Sequence, residues 1–333
     1  MTRVLITGAS GFVGSHFLDA LLTEVPDVEV VAVASFSRNG VVDRIVNVVE
    51  RHPDAHLVVV RHDLSAPVSR LTLNRIGHVD WILDLASRSS VDESIVDPTN
   101  FVGNNVGVTL NTLEIARATS PSTYVHLSTD EVYGVRRPLT PTDYLPSSPY
   151  AASKAAQEGL CHAYEQTYDV PMMIVTSSNM FGERQSSLAF VPRIVRSVLR
   201  GSPLLVHVDR TGPGTRHYSH ARDVANWVIS YLLGSDHDPF SEPPCRLPLT
   251  GLHTVDNLTL AQRVASILGR ELNFNLVSGE SQRRGYDPTY AVIEPVDDWL
   301  TQFGSDVERA LTFDRRLSQT VEWFARHPEW LEL

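Results

Sequence analysis

The sequence predicts an α/β fold: a doubly wound parallel sheet followed by a smaller mixed α/β C-terminal lobe. Short β-branched runs alternate with longer amphipathic segments in the first half of the 333-residue chain. This alternation is typical of a parallel sheet wound with helices. It stops near Ser178, beyond which proline and glycine interrupt the segments. We therefore expect residues 1–177, with part of 214–251, in a first domain and mainly 178–333 in a second.

The elements follow from these patterns in chain order. The β-branched runs predict strands at about 3–7, 28–34, 56–61, 79–86, 122–128 and 171–177. The amphipathic segments of the first half predict helices at about 11–24, 41–52, 68–76, 98–118 and 149–168. The second half predicts helices at about 187–200, 220–234, 257–269 and 315–327.

Charge and composition exclude several classes of partner. The net charge of −11 argues against nucleic acid or an anionic membrane as a partner. An anionic ligand would therefore need locally placed arginines and backbone amides. The N-terminus enters a strand without a signal-peptide pattern, and no apolar run approaches the roughly 20 residues of a membrane helix. We expect a cytoplasmic protein that does not enter the membrane.

No metal site is expected. The two cysteines, Cys161 and Cys245, have no metal-ligand spacing. His217 and His220 with Asp223 could suggest a metal site, but surface and hydrogen-bonding histidines are commoner.

The segment Gly8–Gly14 (Gly-Ala-Ser-Gly-Phe-Val-Gly) follows the first predicted strand and opens the first helix. Glycines there permit a tight turn and a close approach of the backbone to a pyrophosphate, which the helix N-terminus also attracts. In this setting the motif predicts a Rossmann-type dinucleotide site. The predicted cofactor-binding residues are Gly8, Ser10, Gly11, Phe12, Val13, Gly14, Ser35, Arg38, Asp63, Leu64, Leu85, Ala86, Ser87, Tyr150 and Lys154.

The identity of the dinucleotide is less clear from the sequence. The second strand leads into Ser35 and Arg38 without an acidic residue for the ribose hydroxyls, and Arg38 could accept a 2′-phosphate. Asp63, after the third strand, is placed to accept from the adenine amino group, but a turn aspartate explains its position equally well. We predict NAD, with NADP left open.

Lys154 is the only lysine among 28 basic residues, and it stands four positions after Tyr150. Residues four apart share a helix face, so both side chains can enter one cleft. A neighbouring ammonium favours the phenolate, which would lower the tyrosine pKa and make Tyr150 a base for an alcohol undergoing oxidation. Thr129, Asp130 and Glu131 end the fifth strand, where ligands bind in open parallel sheets.

These motifs resemble the extended short-chain dehydrogenase/reductases. The segment from Leu127 to Gly134 is similar to that of dTDP-glucose 4,6-dehydratases. The resemblance continues through Ser147 to Ala155, Ser178-Asn179 and Thr320 to Trp323. It implies a nucleotide-sugar substrate, a homodimer with a four-helix contact, and substrate binding by Ser87, Thr129, Asn179, Arg216 and Arg283.

The resemblance also implies a reaction sequence. Tyr150, with Lys154 and Thr129, would take the C4 hydroxyl proton as hydride leaves C4. Glu131 would then remove the C5 proton and Asp130 would protonate the departing C6 hydroxyl. The two carboxyls need opposite protonation states, and we expect their like charges to push their pKa values apart.

Several positions depart from the family pattern, which leaves other functions open. Met180 stands where a second asparagine is expected, Ala189 replaces a lysine, and Pro288 and Thr289 replace arginines. A 4-epimerase or decarboxylase would share Tyr150 and its neighbours but would need no acid–base pair at C5 and C6. A second alternative is not an enzyme but a non-catalytic NAD(P)-binding regulatory protein.

Overall fold

The computed structural model of the chain describes residues 1–36, 41–134, 144–209, 212–234, 245–249, 253–278 and 306–332. Its strands are β1 (Arg3–Thr7), β2 (Glu29–Ala34), β3 (His56–Arg61), β4 (Trp81–Asp84), β5 (Thr123–Thr129), β6 (Met172–Ser177), β7 (Asn179–Phe181), β8 (Leu204–Asp209), β9 (Gly212–Pro213), β10 (Thr215–His220), β11 (Cys245–Leu249), β12 (His253–Asp256) and β13 (Phe274–Ser278). Its helices are α1 (Phe12–Glu24), α2 (Val41–Val49), α3 (Arg70–Ile76), α4 (Val91–Val96), α5 (Pro98–Thr119), α6 (Pro149–Tyr168), α7 (Phe190–Arg200), α8 (Ala221–Leu233), α9 (Asn257–Ile267) and α10 (Asp306–Arg326).

The central sheet has seven strands in the order β11-β6-β5-β4-β1-β2-β3. Every neighbouring pair in it is parallel. The six predicted strands are all present, and this order confirms the Rossmann-type doubly wound sheet. The sequence did not predict β11 or α4, nor the strands β7 to β10, β12 and β13 of the C-terminal part. β11 contains Pro248 but lies at the edge of the sheet, where a strand tolerates proline.

Both faces of the central sheet are covered, as a parallel sheet requires. Along β1, Val4 and Ile6 belong to one buried cluster, which also contains residues of α1 and α8. Leu5 belongs to the cluster on the other face, with residues of α5 and α6. Successive side chains of a strand point to opposite faces, and both faces of this sheet are buried. β1 is therefore apolar at consecutive positions.

The C-terminal part forms a second core with two small mixed sheets, β12-β10-β7 and β13-β8-β9. This core includes Phe181, Val195, Leu260 and Phe324, so it joins α7, α9 and α10. β7 starts two residues after β6 ends. The chain therefore enters the second core directly from the carboxyl edge of the central sheet.

The smaller mixed lobe predicted for the C-terminal half is confirmed, while the domain boundary at 177/178 stays a prediction. Over the ranges that the structure describes, no helix combines the length and apolarity needed to cross a membrane.

Candidate active site

A cavity of about 640 Å³ lies at the carboxyl edge of the central sheet and extends to the second core. Residues from the glycine motif, from the ends of β4, β5 and β6, and from α6 meet there. The predicted site residues that line the cavity are Gly8, Gly11, Phe12, Val13, Gly14, Leu85, Ser87, Thr129, Glu131, Tyr150, Lys154, Asn179 and Arg216. One cavity therefore brings together the main parts of the predicted dinucleotide, catalytic and substrate sites.

Other predicted residues do not line the cavity. These are Ser10, Ser35, Asp63, Leu64, Ala86 and Asp130. The Asp63 carboxylate is exposed and accepts from the Ser65 amide at 2.9 Å, which fits the turn-aspartate interpretation. Arg38 and Arg283 lie outside the described residues.

The glycine motif fits a dinucleotide pyrophosphate. Gly8 has φ of 68°, and a Cβ on Gly14 would come within 2.0 Å of the Gly8 carbonyl oxygen. No side chain caps α1 at Gly11, so its first amides remain available to an anion. Since Gly8, Gly11 and Gly14 also line the cavity, these residues can hold the phosphates of NAD.

Helix α6 carries the tyrosine and the lysine into the cavity. The Ser148 hydroxyl accepts from the Ala151 amide at 3.1 Å, and Pro149 occupies the first turn. This cap fixes the helix start one residue before Tyr150. Lys154 is buried, and its ammonium donates to the Leu127 carbonyl oxygen at 2.6 Å.

The expected lowering of the Tyr150 pKa by Lys154 is wrong. Desolvation of the phenol, followed by the Glu131 charge, raises the pKa of Tyr150 well above its usual value. A hydrogen bond with Thr129 opposes this rise. Burial lowers the pKa of Lys154 to about 8. Tyr150 is therefore a neutral phenol, and it needs further positive charge in the cavity to act as a base.

The adjacent carboxyls Asp130 and Glu131 occupy a single-turn 3-10 helix directly after β5. Burial raises the pKa of Asp130 to about 7 and that of Glu131 to about 8, and the Asp130 charge adds to the rise at Glu131. Arg216 lowers both values. Burial is the largest cause at both carboxyls, and the Asp130 charge raises the pKa of Glu131 further, which is the direction expected for like charges. Near neutral pH the pair can hold one proton, as acid–base chemistry requires.

Sequence reasoning missed much of the far wall of the cavity. These residues include Asp92, Met180, Gln185, Arg193, Leu205, His207, Tyr218 and Asn257. They come from α4 and from several helices, loops and short strands of the second core, so no single helical or strand periodicity links them. The histidines considered for a metal have other neighbours: His217 pairs with Thr254 at 2.8 Å, and His220 lies 3.3 Å from Glu183.

Comparison with known proteins agrees with this geometry. The model of the "NAD dependent epimerase/dehydratase family" matches residues 4–239. The chain belongs to this family. That membership confirms NAD as the expected cofactor, and the family match spans the glycine motif, both carboxyls and the Tyr150–Lys154 pair.

Relatives align along nearly the whole chain. A dTDP-glucose 4,6-dehydratase from Xanthomonas campestris pv. campestris is 27% identical, over 100% of this chain and 95% of the relative. One from Mycolicibacterium smegmatis is 27% identical, over 98% of this chain and 95% of the relative. The dTDP-glucose 4,6-dehydratase structure from Streptomyces venezuelae with NAD bound has a TM-score of 0.82 at 27% identity, covering 99% of both chains.

An epimerase shares the fold. The UDP-N-acetylglucosamine 4-epimerase structure from Methanobrevibacter ruminantium has a TM-score of 0.80 at 23% identity, covering 98% of this chain and 99% of that one. The fold alone therefore does not separate dehydratases from epimerases.

Proposed function

We propose that this protein is a nucleotide-sugar 4,6-dehydratase, a hydro-lyase that converts an NDP-hexose of the dTDP- or UDP-glucose type to the NDP-4-keto-6-deoxyhexose. The observation that carries the proposal is the adjacent Asp130–Glu131 pair, whose pKa values lie near neutrality beside the Tyr150 phenol. The relatives named dTDP-glucose 4,6-dehydratase support the same choice.

Oxidation at C4 is assigned to the groups of α6 and β5. Bound NAD would accept the hydride from C4 and later return it to C6, and its nicotinamide would add positive charge to the cavity. Tyr150 takes the C4 hydroxyl proton, and the Thr129 hydroxyl, which hydrogen-bonds Tyr150, holds the phenol in place. Lys154 contributes a second positive charge from the same face of α6.

Elimination of water is assigned to the two carboxyls. The 4-ketone acidifies C5, Glu131 removes the C5 proton, and Asp130 protonates the C6 hydroxyl, which leaves as water. A proton returns to C5 when hydride is added at C6. Burial raises the pKa of both carboxyls toward neutrality, so the pair can hold the proton that Asp130 must give up.

The diphosphate and sugar are assigned to other residues that line the cavity. Arg216 is buried and lines the cavity, so it can neutralise a phosphate that little water reaches. Asn179 and Ser87 line it too and supply polar groups for the hexose. Arg283 remains in the proposal as a further substrate contact.

Two alternatives share much of this site. A 4-epimerase or decarboxylase would use Tyr150, Lys154 and Thr129, and epimerases adopt this fold. Neither reaction uses an acid–base pair at C5 and C6, so Asp130 and Glu131 favour dehydration. A non-catalytic NAD(P)-binding regulator would have no need for the single lysine of the chain.

Turnover of C4-deuterated nucleotide hexoses tests the proposal. A 4,6-dehydratase will move deuterium from C4 to C6 and release a 4-keto-6-deoxy sugar, which NMR and mass spectrometry detect. Nucleoside diphosphate glucose substrates carrying thymine, uracil and the other bases should be compared side by side. Inversion at C4 without loss of water would overturn the choice of dehydration. Tight NAD binding without any turnover would favour a regulatory protein.

Exchange of Lys154 for arginine tests the role of the amine. The guanidinium would keep a positive charge but could not fit its planar fork where the compact ammonium donates to the Leu127 carbonyl oxygen. We expect Lys154→Arg to lose most turnover while its circular dichroism and melting temperature stay close to wild type. Near-normal kcat in this variant would contradict the role given to the lysine.

Two further expectations stay predictions. A homodimer would form through α5 and α6, which pack against each other in this structure. A cytoplasmic location was expected from the sequence.

A further inference from the structure

Behind Lys154 lies a series of buried polar side chains that the proposed mechanism does not use. Asp84, at the end of β4, is 2% exposed, and His126, in β5, is 1% exposed. The His126 Nδ1 lies 2.9 Å from the Asp84 Oδ2, and its Nε2 lies 3.4 Å from the Lys154 Nζ. The three residues therefore form a continuous hydrogen-bonded path from a buried carboxylate to the amine in the cavity wall.

The neighbours of Asp84 determine its ionisation state. The Thr7 hydroxyl accepts from the Leu85 and Ala86 amides at 3.0 Å each, so its own proton is free to go to Asp84 Oδ1 at 3.0 Å. The Thr109 hydroxyl donates to Asp84 Oδ2, also at 3.0 Å. Burial alone would raise the pKa of Asp84, but the His126 hydrogen bond and nearby charges lower it. Asp84 is thus an ionised carboxylate, which can only accept hydrogen bonds.

The state of Asp84 sets the tautomer of His126. Since the carboxylate can only accept, Nδ1 of His126 carries the proton and donates it. Burial and the Lys154 charge lower the pKa of His126, so the ring is neutral and its Nε2 has a free lone pair. That lone pair faces Lys154, whose ammonium is the donor.

We propose that the Asp84–His126 pair positions Lys154: the carboxylate fixes the imidazole tautomer, and the imidazole then holds the amine in its charged form against β5. Asp84 and His126 are positioning residues because they act through Lys154 and neither lines the cavity. The consequence for turnover rests on the proposed function, whereas the effect on the amine itself does not.

Other titratable groups face Lys154 from its own helix. Glu158 raises the pKa of Lys154, after the larger effects of burial and of Asp84, and the buried Cys161 adds a smaller contribution. Glu158 is already bound by Ser128, by the Tyr144 hydroxyl at 2.6 Å and by Arg246 at 2.9 Å. Its charge is therefore shared, and Asp84 remains the carboxylate linked to the amine through a hydrogen-bonded group.

The single lysine of the chain makes a direct measurement possible. Protein labelled with ¹³C at Cε and ¹⁵N at Nζ of lysine gives one amine signal, whose titration by NMR reports the pKa of Lys154. In Asp84→Asn the uncharged amide cannot accept from all three donors, and the carboxylate charge is gone. We expect the pKa of Lys154 to fall by about one unit or more. An unchanged pKa would overturn the proposal.

Asp19→Asn is the matched control. Asp19 is also a buried aspartate held by a histidine, His52 at 2.8 Å, but its partners belong to a different cluster that includes Arg51 and Arg222. The same isosteric change there should leave the Lys154 titration unmoved. An equal fall in both variants would show a general effect of lost buried charge and would overturn the proposal.

A measurement on the unaltered protein does not depend on whether the variants fold. Long-range ¹H–¹⁵N spectra of histidine-labelled protein distinguish the two neutral tautomers, and His126→Gln identifies the His126 signals. We expect a protonated Nδ1 and a bare Nε2 at neutral pH. The opposite tautomer or a charged ring would refute the proposal.

Activity supplies the last readout. If the protein is a dehydratase, Asp84→Asn should lower kcat about tenfold or more at pH 7.5 while KM for the nucleotide sugar stays unchanged, since neither residue touches the cavity. A rise in KM at constant kcat would contradict a positioning role. Failure of the dehydratase assay in wild-type protein would leave the amine and tautomer measurements intact.

Discussion

Replacing Tyr150 with phenylalanine is expected to lower kcat for sugar turnover by about 10²–10⁴-fold, the usual contribution of a positioned acid–base group. The phenol lines the cavity, hydrogen-bonds Thr129 and stands on the same helix face as Lys154. Phe101 packs edge-on against the ring, with centroids 6.3 Å apart, so phenylalanine should keep the same position. The loss therefore isolates the hydroxyl, and single-turnover hydride transfer from C4 measures it.

A second tyrosine of α6 provides the control. Tyr164 lies far along the same helix, and its hydroxyl donates to Glu114 at 2.6 Å without lining the cavity. Tyr164→Phe should keep wild-type kcat and KM. Retention of more than about one tenth of activity by Tyr150→Phe would exclude the phenol as the C4 base.

The pH dependence of the first step has a definite sign. Desolvation and the Glu131 charge raise the pKa of Tyr150, so the phenol keeps its proton throughout the neutral range. The rate of C4 oxidation should therefore rise with pH, until loss of the Lys154 charge above about pH 8 opposes it. Pre-steady-state kinetics over pH 6 to 9 would show this limb, and a rate independent of pH would contradict it.

The central sheet could be predicted because its signals are local. β1, β2, β5 and β6 are short β-branched runs that alternate with helical segments, and each prediction lies within about a residue of the strand. The sequence did not predict β11, because Pro248 and its surroundings are typical of a loop. In addition, β11 pairs Cys245 with Met173, which lies far away in the chain. Such long-range pairing at an edge leaves no local pattern.

The catalytic site was predictable where its groups lie close in sequence. Tyr150 and Lys154 are one helical turn apart, and Thr129, Asp130 and Glu131 are consecutive. The environment of these groups was not predictable. Burial, which raises the pKa values of both carboxyls and of the phenol, depends on how the second core covers the cavity.

The contact between Asp84 and His126 could not be predicted from the sequence either. Both residues lie inside predicted strands, and each can be taken for a buried polar residue of the sheet. Their register places His126 directly beside Asp84 on the neighbouring strand. Only this pairing of β4 with β5 shows that a carboxylate, an imidazole and the single lysine share one path.

Glu131→Gln and Asp130→Asn should stop the reaction at different points, each lowering kcat for dehydration by about 10²–10⁴-fold. Without the Glu131 base, C4 oxidation proceeds but the C5 proton stays, so the 4-ketohexose accumulates and no solvent deuterium enters at C5. Without the Asp130 acid, C5 exchanges with solvent deuterium but water does not leave C6. Mass spectrometry of reactions in D₂O separates the two patterns.

The effect of the Glu131 charge on the Tyr150 pKa provides a further test of the roles given to the two carboxyls. Glu131 raises the pKa of Tyr150 only when it is ionised, which is above about pH 8, so in that range the Glu131→Gln variant should oxidise C4 more readily than wild type, even though turnover is lost. General damage to the site could not make C4 oxidation easier while it abolishes the elimination of water. If Glu131→Gln instead slows both steps equally, or if Asp130→Asn blocks C5 exchange, the two carboxyls do not have the separate roles proposed. The buried pair, with both pKa values raised, would then hold one shared proton and would not act as a separate acid and base.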